Sequence, residues 1–126
     1  MASNEEFIID LMLKLLWKSH ESGSCRVWNG ATANGYGRQR AVLPGGKVQT
    51  FGAHRCAYII KSGSITIPTQ QGKQNLEVSH LCHNKLCINQ EHLVLETQAV
   101  NASRNRCALL KHCTQRHSPR CVFEML

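Results

Sequence analysis

A chain of 126 residues that is 42% hydrophobic has room for one modest core, and with aromatics at only 6% that core is thin enough to need staples. Seven cysteines are an odd number for a closed disulfide set, the N-terminal apolar run is broken by Asp10, Lys14 and Lys18, and no stretch approaches the roughly 20 apolar residues of a membrane span. A secreted disulfide module and a membrane protein are therefore disfavoured; the expectation is an intracellular chain, nuclear or cytoplasmic, with reduced thiols and a formal charge of +7 that suits a polyanionic partner.

Taken in chain order, Ser3-x-x-Glu6 has the form of a capping box. It precedes Ile8, Leu11, Met12, Leu15 and Leu16, whose helical spacing predicts an amphipathic helix over residues 4–20 packed against the rest of the chain. Ser22, Gly23 and Ser24 break the chain before a short strand, Cys25-Arg26-Val27-Trp28, and residues 30–37 are turn-rich. Residues 36–43 and 47–51 flank Pro44-Gly45-Gly46 and predict a β-hairpin. A helix follows over 53–61 with Ala53, Cys56, Ala57 and Ile60 on one face, which makes Cys56 a core thiol. Residues 62–73, with Gly63, Pro68 and Gly72, read as loop. Two strands, 76–80 and 93–96, enclose a polar, cysteine-bearing loop, and Thr97 is placed to cap a helix running to about residue 108. The last stretch, 109–126, is rich in Cys, His and Arg and too poor in apolar residues to fold unaided. With no repeat or linker in view, residues 1–126 are read as a single domain of α+β class.

Two groups of soft ligands stand out. Cys82-x4-Cys87-x4-His92, with Cys25 as the fourth member, has the spacing that lets consecutive ligands converge on one tetrahedral zinc ion. Because Cys25 is remote in sequence, this site would tie the two halves of the chain together. Cys107-x5-Cys113-x3-His117-x3-Cys121 supplies a second set within the segment that lacks a core, so that metal binding there would be folding energy. His112, next to Cys113, is a rival to His117. Each set fills all four positions, so both zinc ions would be structural, with no open place for chemistry. Six thiolates and two Zn²⁺ lower the formal charge by two, from +7 to +5, which is still basic.

Ser79-His80-Leu81-Cys82-His83-Asn84-x-x-Cys87-x-Asn89-x-x-His92-Leu93, followed by Asn101 and Cys107, resembles the His-Cys box of homing endonucleases, within the wider ββα-metal (HNH, His-Me finger) nucleases. Upstream, Cys25-x-x-Trp28-x-Gly30, Gly35-Tyr36-Gly37 and Ala53-His54-Arg55-x-Ala57-Tyr58 resemble small HNH proteins. The likeness runs from about residue 25 to 121. It implies a ββα-metal core over residues 76–108 and a Mg²⁺-dependent endonuclease acting on double-stranded DNA. It makes His80 the general base, Asn101 the ligand of one catalytic Mg²⁺ and Asn89 a brace of the loop. The chemistry suits these types: a neutral imidazole is a base near working pH, and an amide oxygen holds Mg²⁺ while leaving places for phosphate and water. His83 competes with His80 on proximity alone.

For DNA contact, Arg38 and Arg40 share one strand face of the hairpin, as do Lys47 and Gln49 on its partner strand, and a two-stranded ribbon fits the major groove. Arg38, Arg40 and Lys47 are also the candidates for a basic residue at the scissile phosphate. Arg104, Arg106, Lys111, Arg116 and Arg120 surround the second cluster and are expected to track phosphates. One hairpin and a short C-terminal tail predict a monomer, with a homodimer as the alternative. The rival function is a catalytically silent zinc-stabilised DNA-binding module, and a zinc-held protein-interaction domain is a third.

Overall fold

The computed structural model describes residues 4–113 and 117–123, arranged as three helices and three small sheets. Ser3 of the capping box and Arg116 lie outside the described residues.

Helix α1 (Asn4–Trp17) carries Glu5 and Glu6 in its first turn and Lys14 in its last, each sign at the helix end that favours it. It buries Phe7, Leu11 and Leu15, a face rotated from the expected stripe; Met12 and Leu16 are exposed together with Ile9, Leu13 and Trp17. The helix is apolar around most of its circumference, so periodicity does not choose a side, and the choice falls to Phe7, which packs edge-on against Phe51 with ring centroids 6.3 Å apart. Full burial of each such side chain is worth about 1.5–3 kcal/mol. The helix ends at Trp17, short of residue 20, because Ser19 turns its hydroxyl back onto the Leu15 carbonyl and the chain leaves as a strand. That strand, β1 (Ser19–Ser22), pairs antiparallel with β2 (Cys25–Trp28) around Gly23, whose φ of 60° suits a glycine.

Trp28 anchors the next layer. Strands β3 (Thr32–Ala33) and β4 (Tyr36–Val42) turn at Asn34-Gly35, both with positive φ, and β4 pairs with β5 (Val48–Gly52). A Cβ on Gly37 would stand 2.5 Å from Trp28 Cδ1 and 2.8 Å from the Ala53 methyl, and one on Gly30 would stand 2.5 Å from Trp28 Cζ2. The nitrogen-bearing edge of the indole lies against two backbone positions that only glycine lets this close. Along β4, Gly37, Gln39 and Ala41 are buried while Arg38, Arg40 and Val42 face outward.

Helix α2 (Ala53–Ser62) buries Ala53, Cys56, Ala57 and Ile59, with Ile60 only partly covered, and stops at Gly63 in the left-handed region. Cys56 is fully buried, and burial pushes its thiol up to about 12, as an inert core residue requires. Residues expected as loop include the two-residue strand β6 (Gln70–Gln71), which pairs with β7 (Gln74–His80). Strand β7 pairs antiparallel with β8 (Leu93–Thr97), and α3 (Gln98–Leu110) follows directly, its first turn capped by the Thr97 hydroxyl, which accepts from Val100 N at 3.3 Å. Strands β7 and β8 with α3 form the ββα unit. The loop between β7 and β8 is laced to β2: Trp28 N donates to Leu86 O at 2.8 Å and Ile88 N to Arg26 O at 2.7 Å.

Candidate metal centres and active site

At the seam between β2 and the β7–β8 loop, Cys25, Cys82, Cys87 and His92 converge. Cys25 Sγ stands 3.6 Å from Cys82 Sγ and 3.6 Å from His92 Nδ1, and Cys87 Sγ stands 3.4 Å from the same nitrogen. Ligands about 2.0–2.3 Å from one zinc ion stand about 3.3–3.8 Å apart along the edges of a tetrahedron, so the donors fit that ion. The thiol chemistry agrees. A hydrogen bond between Cys82 and Cys87 pushes the first well above the thiol range and lowers the second to about 4. Sulfurs this close share protons until a dication lets all of them ionise. Asn89 braces the loop, its amide donating to Ser24 O at 2.7 Å while its Oδ1 accepts from Glu91 N at 3.0 Å.

The second cluster gathers Cys107, Cys113, His117 and Cys121. His117 Nδ1 lies 3.3 and 3.7 Å from the Cys107 and Cys113 sulfurs, again tetrahedral edges, and 3.9 Å from Cys121 Sγ, slightly beyond one. His112 instead places its Nδ1 3.2 Å from the Cys113 carbonyl and takes no part. Two clusters able to hold zinc ions are thus present among the described residues. Both are closed sets of four, which suits scaffolding.

Arg104 corrects one expectation. It is 1% exposed, and its guanidinium grips Glu96 of β8 through Nε at 2.6 Å and Nη2 at 2.7 Å while Nη1 faces Cys121 Sγ at 3.3 Å. Such a fork is satisfied internally and has no reach to a phosphate. It ties α3 to the sheet and to the second cluster. Arg106, Lys111 and Arg120 remain exposed on the surface.

His80 closes β7 at 9% exposure, and its Nε2 lies 3.0 Å from the Cys87 carbonyl oxygen. A carbonyl oxygen only accepts, so Nε2 carries the proton and Nδ1 holds the lone pair. Burial lowers the His80 pKa to about 4, which keeps the ring neutral. Two further rings adjoin it: His54, from the first turn of α2, at 4.9 Å, and Tyr36, from the start of β4, at 6.2 Å. Burial, then the proximity of His80, Arg55 and Arg38, holds His54 down at about 3, and its Nδ1 is buried without a hydrogen-bond partner. Lys85 Nζ sits 5.0 Å over the Tyr36 ring. His54, Tyr36 and Lys85 were given no role from the sequence. The signal for His54 was its place at the head of the helix that follows the hairpin, and for Lys85 its place inside the ligand-bearing loop. His83, at φ 63°, stacks on Phe123 with centroids 5.3 Å apart and does not share the His80 position.

Asn101 is half-buried one turn into α3, and its Nδ2 donates to Oε1 of Glu77, three residues before His80 on β7. One strand therefore carries the imidazole at its end and holds the amide through a carboxylate. On the hairpin, Arg38 pairs across from Gly52 and Arg40 from Thr50, so these form the outward face. Gln49 pairs with Ala41 and belongs to the opposite face, while Lys47 lies in the turn with its carbonyl bonded to Leu43 N. All four side chains are exposed, but they do not form one surface.

Residues 22–125 match the family model described as the zinc-binding loop region of homing endonuclease. The chain belongs to this family. Membership supports zinc as the ion the Cys/His clusters could hold and connects the chain to a nuclease-related function and to DNA; α1 lies outside the match. Among curated proteins none matches the chain. No helix among the described residues is long and apolar enough to cross a membrane.

Proposed function

We propose that this protein is a Mg²⁺-dependent endonuclease that hydrolyses phosphodiester bonds of double-stranded DNA. The observation that carries the reading is the His80–Cys87 hydrogen bond. It fixes the tautomer and the plane of a neutral imidazole and leaves Nδ1 as a proton acceptor, which is what activation of a water by a general base needs. Asn101 is the residue proposed to hold the ion, through Oδ1, since its nitrogen is committed to Glu77. Bound there, Mg²⁺ would stabilise charge on the leaving oxygen and keep coordination places for phosphate oxygens and water. Of the three basic candidates for the scissile phosphate, Arg38 is favoured, because its charge already bears on His54 beside His80. Arg38 and Arg40 together would enter the major groove, with Lys47 and Gln49 at the turn and the other face contacting the backbone. The whole chain acts as one domain and one copy in this reading, in a reducing compartment, nuclear or cytoplasmic.

The test is incubation of the zinc-loaded protein with supercoiled plasmid and Mg²⁺ beside a gel-shift titration. Cleavage is expected, with His80→Ala lowering its rate by roughly 10²–10⁴-fold at nearly unchanged DNA affinity, and Asn101→Ala raising the Mg²⁺ needed. Tight, salt-dependent binding without cleavage would instead establish the silent DNA-binding module. Normal cutting by His80→Ala with a dead His83→Ala would overturn the choice of base.

A further inference from the structure

Strands β7 and β8 set Glu77 directly across from Glu96, and α3 packs over both. Two carboxylates in register repel, so each needs an answer. Helix α3 answers them unequally. Arg104 takes Glu96 with both arms of its guanidinium, a full opposite charge. Asn101 gives Glu77 only a neutral amide N–H. Among the described residues no lysine, arginine or histidine pairs with Glu77.

We infer that Glu77 is the positioning residue for the divalent ion at Asn101. This rests on the reading of Asn101 as the metal-holding amide. A free asparagine can present either its oxygen or its NH₂, and only the oxygen can hold a cation. A carboxylate accepts and never donates, so the partner on Glu77 has to be the amide nitrogen. The orientation of Asn101 thus follows from the chemistry of its neighbour: Nδ2 is turned to the strand and Oδ1 is the atom left to offer. Glu77 adds a charge that Asn101 lacks and that no lysine, arginine or histidine among the described residues pairs with, which favours a divalent ion over water beside it. The arrangement has the logic of other metal sites, where a partner behind the ligand sets its orientation and is worth about 10–100-fold in metal affinity.

Mn²⁺ serves as the probe. The zinc-loaded full chain is titrated with Mn²⁺, with the free ion read by electron paramagnetic resonance, and zinc content and melting temperature are recorded for every variant. Glu77→Ala should weaken Mn²⁺ binding by about 10–100-fold. Glu77→Gln, which keeps an acceptor oxygen for Asn101 but not the charge, should recover part of that loss. In cleavage, both variants should need more Mg²⁺ yet approach the wild-type rate when Mg²⁺ is saturating, a split that general misfolding does not produce. If Glu77→Ala unfolds, Glu77→Gln decides alone. Folded Glu77 variants that bind Mn²⁺ like the wild type overturn the inference while leaving Asn101 in place. If Asn101→Ala itself binds Mn²⁺ like the wild type, the reading of Asn101 falls and the inference falls with it.

Discussion

Replacing Arg104 with methionine keeps a long side chain in the site and removes its charge and all of its donors. Glu96, at 9% exposure, is left with an unanswered carboxylate beneath α3, and Cys121 loses the N–H that faces it. Breaking one side of a buried ion pair costs about 3–5 kcal/mol, and for a chain of this size each kcal/mol lowers the melting temperature by about 4 °C. The expected fall is therefore about 12–20 °C. Arg104→Met combined with Glu96→Leu should recover most of it, because the orphaned charge is gone and Glu77 no longer faces a second carboxylate. Melts followed by circular dichroism, with both clusters loaded with zinc, give the wild type and both variants on one scale. The salt dependence of DNA binding, measured well below the transition, is expected to stay that of the wild type, since a buried arginine releases no counterion. A melt within about 1 kcal/mol of wild type, together with a salt slope flattened by about one phosphate contact, would refute the argument and restore Arg104 to the DNA surface.

Elemental analysis should give two zinc ions per chain; Cys82→Ser should lose one and unfold the seam between β2 and the loop, while Cys56→Ala keeps both, and one zinc or none in the wild type would contradict the assignment. Arg38→Ala and Arg40→Ala should relax base preference at defined positions by about 1–3 kcal/mol, whereas Arg120→Ala should weaken all sequences alike, which binding to randomised duplexes distinguishes. Burial lowers the folded pKa values of His80 to about 4 and of His54 to about 3, so the unfolded chain, near 6.5, takes up protons first as pH falls. Stability should hold above about pH 7 and decline from about 6.5 towards 3, and a melting temperature unchanged between pH 7 and 5 would exclude both rings as buried neutral groups. Cleavage-site sequencing on random DNA should return short, asymmetric preferences; a long two-fold symmetric consensus would replace the monomer with a dimer and draw attention to Ile9, Leu13, Leu16 and Trp17 on the open face of α1.

What could be read from residue order alone was whatever depends on local spacing. The hairpin announced itself through alternation around Pro44-Gly45-Gly46, α3 through Thr97, and both metal clusters through ligand intervals that few other functions require. What could not be read depends on which of several equivalent faces meets the core. Helix α1 offers apolar residues almost all round, and only tertiary packing, against α2 and of Phe7 against Phe51, selects Phe7, Leu11 and Leu15. Strand β1 has no apolar alternation to show, because it is held by pairing with β2 and by Arg26, whose Nε donates to the Ser19 hydroxyl at 2.7 Å. Arginine in a basic segment is usually a surface cation, whereas the burial of Arg104 needs Glu96, eight residues earlier and on another element. Glu77 was missed for the related reason that a carboxylate in a strand acquires meaning only when the partner helix is placed over it.

The two zinc clusters and the proposed catalytic groups are coupled through single atoms. The carbonyl that fixes His80 belongs to Cys87, a member of the first cluster, so the residue that would bind zinc through its sulfur holds the imidazole through its backbone. The carboxylate that holds Asn101 sits across from Glu96, whose arginine also faces Cys121 of the second cluster. One cluster therefore stands behind the base, and the other, through Arg104 and Glu96, behind the helix that carries the amide. A core with so few aromatic side chains could not by itself hold two such groups to within the fraction of an ångström that positioned catalysis demands. Zinc bound at these clusters would add rigidity to a thin core, and as closed sets of four they would leave no open coordination place to compete with the ion proposed at Asn101.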